Sequence, residues 1–526
     1  MMILSTKLFW KEQEKHGDIK NKKIDVKNLE GFTVLGDENF AKKAKVKRVL
    51  PKWLANPTII SVNLQNLKTK VSEVKLLDKS LRKLLKANGI QYFFPVQAEV
   101  IPWLLKANSH TDVIFPRDVC VSAPTGSGKT LAFVLPIIQA LKKHSVKRIR
   151  ALVILPTQDL ANQVFKTFKI YAQNTNIDVC LITGNHPFAT EQNQLITDNK
   201  AFGPLSKIDI LVCTAGRLVD HLKMTKGLDL QHLEFLIIDE ADRVLEKQPS
   251  LQTGKILNLF SLQKRRPPQK LLFSATLSQD PEKLQKLSLF QPKLFTSIVA
   301  ESGEAPDNIV LNMETFVGKY TTPRELAEKY VITSLDLKPL FLYKLIKLEK
   351  LTRSIVFTHS VESAHRLAIL LKSLFKSELK IEEISSNLQG KNRSVLIDKF
   401  SNGEIDLLVC TDALARGIDL PNVQCVVSYS APKYLKTYIH RAGRTARAGE
   451  AGLAVTLLHP SQLAKFKGML QQADKQNVEE LTIPEEDLEP LGEQYKQSLQ
   501  ELKQFIEKEE KSDLKQTMSA KRKRKT

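Results

Sequence analysis

The chain is poor in cysteine, with five in 526 residues and no C-x-x-C pair among them. Cys120, Cys180, Cys213, Cys410 and Cys425 each lie in or beside an apolar run. No His/Cys cluster has zinc-ligand spacing, so no structural zinc is expected. The thiols are expected to be buried and reduced, as in an intracellular protein. Long apolar runs are also missing. A spanning helix needs about 20 such residues, so no membrane span is expected. The opening MMILSTKLFW is apolar but lacks a basic leading region and meets Lys7 early; it does not read as a signal peptide. Acidic charge is in deficit. With 79 Lys and Arg against 57 Asp and Glu, the formal net charge is +22. Such an excess attracts polyanions, nucleic acid foremost, although basic surfaces also serve solubility or membrane adhesion.

The length suits about two to three domains, and a 42% hydrophobic content allows a sizeable core. Residues 1–70 read as a basic, poorly ordered extension with a cluster at Lys42, Lys43, Lys45, Lys47 and Arg48. Over 71–296, short β-branched runs alternate with helical patterns: VCVSA at 119, ALVIL at 151, DVCLI at 178, IDILVC at 208, FLIID at 235 and KLLFSA at 270. A polar linker is expected at 297–330. Over 331–475 the alternation resumes with SIVFTH at 354, KIEEIS at 380, DLLVCT at 406, CVVSYS at 425 and LAVTLL at 453. Apolar runs of this length, spaced by amphipathic segments, predict an α/β fold. Each domain would be a mostly parallel sheet with helices on both faces. The two halves share no obvious sequence repeat. Residues 476–526 form a charged extension, with a predicted helix over 494–516 and a basic end, KRKRK, at 521–525.

APTGSGKT at 123–130 follows the run VCVSA and precedes LAFVLPIIQAL. That strand–loop–helix context is what a phosphate-binding loop needs. Gly126 and Gly128 let backbone N–H groups turn toward phosphate, and the following helix N-terminus adds a favourable dipole. Lys129 would reach the β- and γ-phosphates of ATP, and Thr130 would bind Mg²⁺. FLIIDEAD, ending at Asp242, carries Asp239 and Glu240 out of the C-terminal end of a strand, where ligands bind in open parallel sheets. Asp239 would hold Mg²⁺, and Glu240 would position the attacking water. A ligand-free glycine turn or a solvated acidic turn explains either segment alone, but not both.

Asp239-Glu240-Ala241-Asp242 spells the motif of the DEAD-box RNA helicases, which the chain resembles from about 90 to 460. PTQDLANQ at 156–163 is similar to the family's first RNA-contact motif, with Asp159 where glutamate is usual. Gly184-Asn185 stands where a glycine pair is usual, and TAGR at 214–217 has Ala215 for proline. SAT at 274–276 matches the motif coupling hydrolysis to domain movement. IVFTHS at 355–360, Gln389 with Arg393, TDALARGID at 411–419 and HRAGRTAR at 440–447 complete the series. GIQYFFPVQ at 89–97 departs from the adenine-recognition segment, since Phe93-Phe94 replace Pro-Thr. Gln97 keeps its spacing, and an amide that donates and accepts suits an adenine edge; a surface amide is the plain alternative.

The resemblance implies two tandem RecA-like domains with ATP in the cleft. Gln97, Ala123, Thr125, Gly126, Ser127, Gly128, Lys129, Thr130 and Asp419 would hold the nucleotide. Arg444 and Arg447 would act as arginine fingers. Asp242, Ser274, Thr276 and His440 would couple the domains. Thr157, Gly184, Thr214, Arg217 and Thr411 would contact RNA. The implied activity is ATP-dependent unwinding of RNA. An ATP-gated RNA clamp or assembly scaffold would carry the same motifs. A DNA translocase is disfavoured by the DEAD and Ser-Ala-Thr spellings, and a dead ATPase by the presence of Lys129, Glu240 and Arg447. FFPVQAEVIPWLL at 93–105, PRDVCVSAPTGSGKTLAFVLPI at 116–137 and PKWLANP at 51–57 look most like nucleolar helicases that assemble the large ribosomal subunit. Pre-ribosomal RNA, assembly proteins, a nucleolar location and a monomer within a larger particle follow as expectations.

Overall fold

Strand β2 (Val119–Ser122) shows how the sheet is built. Val119 and Val121 enter one apolar core while Cys120 enters another. In β3 (Ala151–Leu155), Ala151, Val153 and Leu155 face the first core, and Leu152 and Ile154 the second. Successive strand side chains point to opposite faces, so a continuously apolar run is a strand covered on both sides. A computed structural model describes residues 51–247, 267–275, 287–297, 325–384, 390–412 and 420–523, with breaks at 62, 65–66, 110–114, 200, 202, 377, 472, 474 and 476–477.

The remaining strands of the first sheet are β1 (Thr58–Ile60), β4 (Val179–Ile182), β7 (Ile210–Thr214), β8 (Phe235–Asp239), β9 (Gln269–Ser274) and β10 (Lys293–Ser297). All pair in parallel, in the order β1-β10-β2-β9-β8-β3-β7-β4. A separate antiparallel hairpin, β5 (Ile196–Asn199) with β6 (Gly203–Ser206), precedes β7. The second sheet holds β11 (Leu326–Ile332), β12 (Ser354–Thr358), β13 (Ile381–Ile384), β14 (Leu407–Thr411), β15 (Cys425–Ser428), β16 (Gly452–Leu458) and β17 (Glu479–Glu480). Its order is β13-β14-β12-β15-β16-β11-β17, again parallel throughout. Two cores flank it as well: Val356, Val409 and Val427 on one face, Ile355, Leu408 and Val426 on the other. The expected α/β class with two parallel sheets is what the chain forms, and each predicted run is a strand.

Two boundaries differ from the sequence reading, and the predicted last helix is longer and packed. Strand β1 lies inside the stretch read as a poorly ordered extension, because Ile60 is buried and the strand pairs with β10. Strand β11 begins at Leu326, within the expected linker, and pairs along its length with β16. The last helix, Gly492–Lys523, packs on the helix Val361–Phe375: Gln494 Nε2 donates to Leu374 O at 2.8 Å and Ser373 Oγ to Glu501 at 2.6 Å. The five cysteines are buried and unpaired. Among the described residues, no helix is long and apolar enough to cross a membrane and no cluster of metal-ligating side chains occurs.

Candidate nucleotide and RNA site

The phosphate-binding loop leaves β2 at its C-terminal end and enters the helix Lys129–Leu141. Gly126 and Gly128 have φ of +79° and +83°, values that glycine adopts without steric cost. Close approach requires them too. A Cβ on Gly126 would lie 2.8 Å from Arg447 Cγ, and one on Gly128 would lie 2.7 Å from Phe94 Cδ2. The loop is braced internally. Ser127 Oγ donates to Pro124 O at 2.8 Å, and Lys129 Nζ donates to Ala123 O and Pro124 O at 2.8 and 2.7 Å. Burial pulls the Lys129 ammonium pKa down, against the opposing pull of Glu240 and Asp239. Gln97 is buried, not a surface amide. Its Nε2 donates to Gly128 O at 3.0 Å, and its Oε1 accepts from Phe94 N at 3.0 Å.

Strand β9 lies directly beside β2, and β8 follows it, all three parallel, so their C-terminal ends share the loop's edge of the sheet. Asp239 ends β8 and accepts from the Glu240 N–H at 2.9 Å. Burial first, then the Glu240 charge, push the Asp239 carboxyl up to about 7. Glu240 is buried, and its Oε2 makes no hydrogen bond among the described residues. Ser274, at the end of β9, donates to Asp242 Oδ1 at 2.6 Å.

The second domain reaches this edge through the helix Leu435–Ala442 and the turn after it. His440 Nε2 lies 3.6 Å from Asp242 Oδ2, and its Nδ1 lies 3.9 Å from Glu240 Oε2. Thr125 Oγ1 donates to Gly443 O at 2.8 Å. Arg447 Nε donates to that same carbonyl at 3.1 Å, and Arg444 Nε donates to His440 O at 3.2 Å. Both guanidinium charges act on Lys129. Arg393 Nη2 crosses the cleft to Asp159 Oδ2 at 2.8 Å.

The same sheet edge has a second station over β3, β7 and β4. Thr157 caps the helix Gln158–Ala172, accepting from Leu160 N. Thr214 ends β7 and precedes the helix Ala215–Met224. Gly184 follows β4 with φ +84°. In the second domain, Thr411 ends β14 opposite Thr358.

Residues 94–284 match the DEAD/DEAH box helicase family model, and 337–449 match the helicase conserved C-terminal domain. Similar proteins include the probable ATP-dependent RNA helicase Dbp73D of Drosophila melanogaster, 43% identical over 87% of this chain and 72% of that protein. ATP-dependent RNA helicase DDX51 of Homo sapiens is 41% identical over 91% of this chain and 75% of its own length. The chain belongs to the DEAD-box ATP-dependent RNA helicases. Among solved structures, Mss116p bound to single-stranded RNA and AMP-PNP matches with a TM-score of 0.67 and 26% identity, over 83% of this chain and 84% of that one.

In this DEAD-box chain the fold gathers Gln97, the loop 123–130, Asp239, Glu240, Asp242, Ser274, His440, Arg444 and Arg447 around one cleft. Asp419, Thr276, Gln389 and the cluster at 42–48 lie outside the described residues, as do the side chains at 521–525. Several buried residues packed beside the site escaped the sequence reading. Arg441 is fully buried and grips Asp412 with both Nε, at 2.5 Å, and Nη2, at 3.0 Å, while Nη1 donates to Ser430 O at 2.6 Å. It thereby ties the segment after Thr411 to the helix that presents His440. Its place beside His440 in HRAGRTAR was the available signal. Glu191 and His221 are fully buried beside Arg217, and nothing local in the sequence marks them.

Proposed function

We propose that this helicase closes its two domains on RNA when ATP is bound and so locally unwinds or remodels structured RNA. One observation carries the reading. Ser274, Asp242 and His440 form a line from the nucleotide edge of the first domain into the second. The residues that finish the catalytic site, Arg444 and Arg447, come from the second domain, so the site is complete only when the domains meet. Lys129 is suited to the phosphates, Glu240 to orienting the attacking water, and the two arginines to transition-state charge. The residues fit a divalent cation: Asp239 is a buried carboxylate beside a second carboxylate whose Oε2 makes no hydrogen bond among the described residues. Asp239 and Thr130 would hold Mg²⁺, which would neutralise phosphate charge when bound. RNA would run over Thr157, Gly184 and Thr214 to Thr411, with contacts mainly to phosphate and 2′-hydroxyl groups.

The substrate proposed is pre-ribosomal RNA in large-subunit assembly, with the chain a monomer among assembly proteins in the nucleolus. Its resemblance to that subgroup and its charge of +22 support this. An ATPase assay beside a strand-displacement assay tests the activity. RNA should stimulate hydrolysis, Lys129→Ala should abolish it, and a duplex should be separated. Stimulation without separation would favour the clamp. Tagged full-length chain, compared with variants lacking 42–48, 521–525 or both, tests location. A cytoplasmic intact protein would overturn the ribosomal reading.

A further inference from the structure

The helix Phe188–Leu195 begins shortly after Gly184 and buries its one acidic side chain completely. Glu191 Oε1 accepts from Thr183 N at 3.2 Å and from Gly184 N at 3.0 Å. Its Oε2 accepts from Arg217 Nε at 2.6 Å and meets His221 Nε2 at 3.1 Å. The other ring nitrogen of His221 is 2.8 Å from Thr225 Oγ1. Phe188 closes the frame. Its ring stacks on His221, with centroids 4.3 Å apart, and lies 4.8 Å below the Arg217 guanidinium. One carboxylate therefore joins the loop after β4, the helix after β7 and the helix that carries it. Burial would push the Glu191 carboxyl up, but hydrogen bonds from Arg217, His221 and Gly184 hold it below its ordinary value.

Arg217 faces inward in this arrangement. Its Nε is committed to Glu191, its plane lies on Phe188, and Nη2 reaches His186 O at 3.4 Å. A guanidinium already paired with a buried carboxylate offers RNA little net charge. We propose that Glu191 is a positioning residue that sets the RNA edge of the first domain, and that Arg217 belongs to this frame and is not a phosphate ligand. The inference rests on the RNA path proposed above and assigns that path its support.

The test is RNA binding by full-length protein, measured with fluorescent single-stranded oligoribonucleotide over a range of salt. A phosphate ligand removed from a single strand lowers the log–log salt slope by about 0.7; a frame residue does not. E191Q keeps an oxygen for Thr183 and Gly184 but turns a donor toward Arg217. It should weaken RNA binding by about tenfold, the scale of coupled neighbours, with the slope unchanged. R217Q should do the same, and the double variant should be no worse than either single one. The loss should appear in the RNA concentration that half-stimulates hydrolysis and not in the KM for ATP. Should E191Q fail to fold, the slope of R217Q alone separates ligand from frame. Normal wild-type binding with unchanged E191Q affinity, or a reduced slope in R217Q, overturns this inference alone. Wild-type protein that does not bind RNA overturns the parent reading as well.

Discussion

Glu240 holds a backbone φ of +50°, a region that costs a non-glycine residue about 1–3 kcal/mol. Its Oε2 is buried and, among the described residues, makes no hydrogen bond; the same holds for both ring nitrogens of His440. Buried polar groups normally find partners. Three such atoms in one cleft fit the role proposed for Glu240 in orienting the attacking water. Glu240→Gln keeps the shape and removes the base. Hydrolysis should then fall by about 10²–10⁴-fold, the usual worth of a positioned general base. ATP and RNA binding should survive, so the variant should accumulate a long-lived ternary complex. Filter binding after an ATP chase checks this; full turnover by the variant would remove Glu240 from its role. Gln97 illustrates a different point. Its amide is engaged by Gly128 O and Phe94 N, so its removal loosens the phosphate loop whatever the base. Gln97→Ala should weaken ATP and GTP by similar factors, about tenfold for one lost buried hydrogen bond with its orphaned partner. Paired titrations of the two nucleotides would show it; a loss confined to ATP would make the amide an adenine reader only.

At the scale of elements, a histidine adds a charged clasp to the contacts that Gln494 and Ser373 make between the last helix and the second domain. His365 Nδ1 meets Glu383 of β13 at 2.7 Å, and Nε2 meets Glu509 of the helix Gly492–Lys523 at 2.9 Å. Burial lowers the ring's pKa, but the two carboxylates outweigh it and raise the pKa above 6.5. A raised histidine stabilises most below its unfolded pKa, and the benefit is lost as pH rises through the folded value. Protection against hydrogen exchange over 494–509, taken relative to the intrinsic rate at each pH, should therefore fall between about pH 6 and 8, where histidine charge changes. His365→Ala should lower the protection at pH 6 and remove most of its pH dependence; an unchanged protection profile would show that the clasp contributes nothing. No sequence pattern pointed to this contact, because its partners lie 18 and 144 positions away. The central strands were legible since apolar runs buried on both faces are local signals. Strand β11 was not, because LAEKYVI carries Glu328 and Lys329. Glu328 is matched by Tyr438 OH, at 2.6 Å, and by Lys475, partners that only the fold supplies. The cleft chemistry was legible because glycine spacing and adjacent carboxylates are short-range patterns. The frame around Glu191 was not, since a buried acid on a helix looks like a solvated one until its partners arrive.

Across the whole molecule, two kinds of interaction with RNA and nucleotide can be separated. The charge of +22 predicts RNA affinity that falls with salt and varies little among unrelated single strands of equal length. A tight, salt-insensitive preference for one sequence would mean a recognition surface elsewhere. The cleft makes the sharper claim. Gly443 O accepts from Thr125 of the first domain and from Arg447 of the second, so one carbonyl carries both a domain contact and a contact to the proposed finger. Arg447→Ala removes the finger and leaves the Thr125 bond. Turnover at saturating ATP and RNA should fall by about 10³-fold or more, since a finger is worth 10³–10⁵ in related systems, while ATP affinity stays within about an order of magnitude. Gly443→Ala does the reverse. Its φ of −71° tolerates alanine, but the added Cβ would collide with Thr125 Oγ1 and lie 3.0 Å from Ile439 O. Both arginines remain, yet the domains are held apart. Stimulation by RNA should then drop, with the RNA concentration for half-stimulation rising. Steady-state kinetics on the two variants separates the roles. If Arg447→Ala lost only ATP affinity and turned over normally at saturation, the arginine would be a nucleotide anchor, and the cleft would not need the second domain for its chemistry.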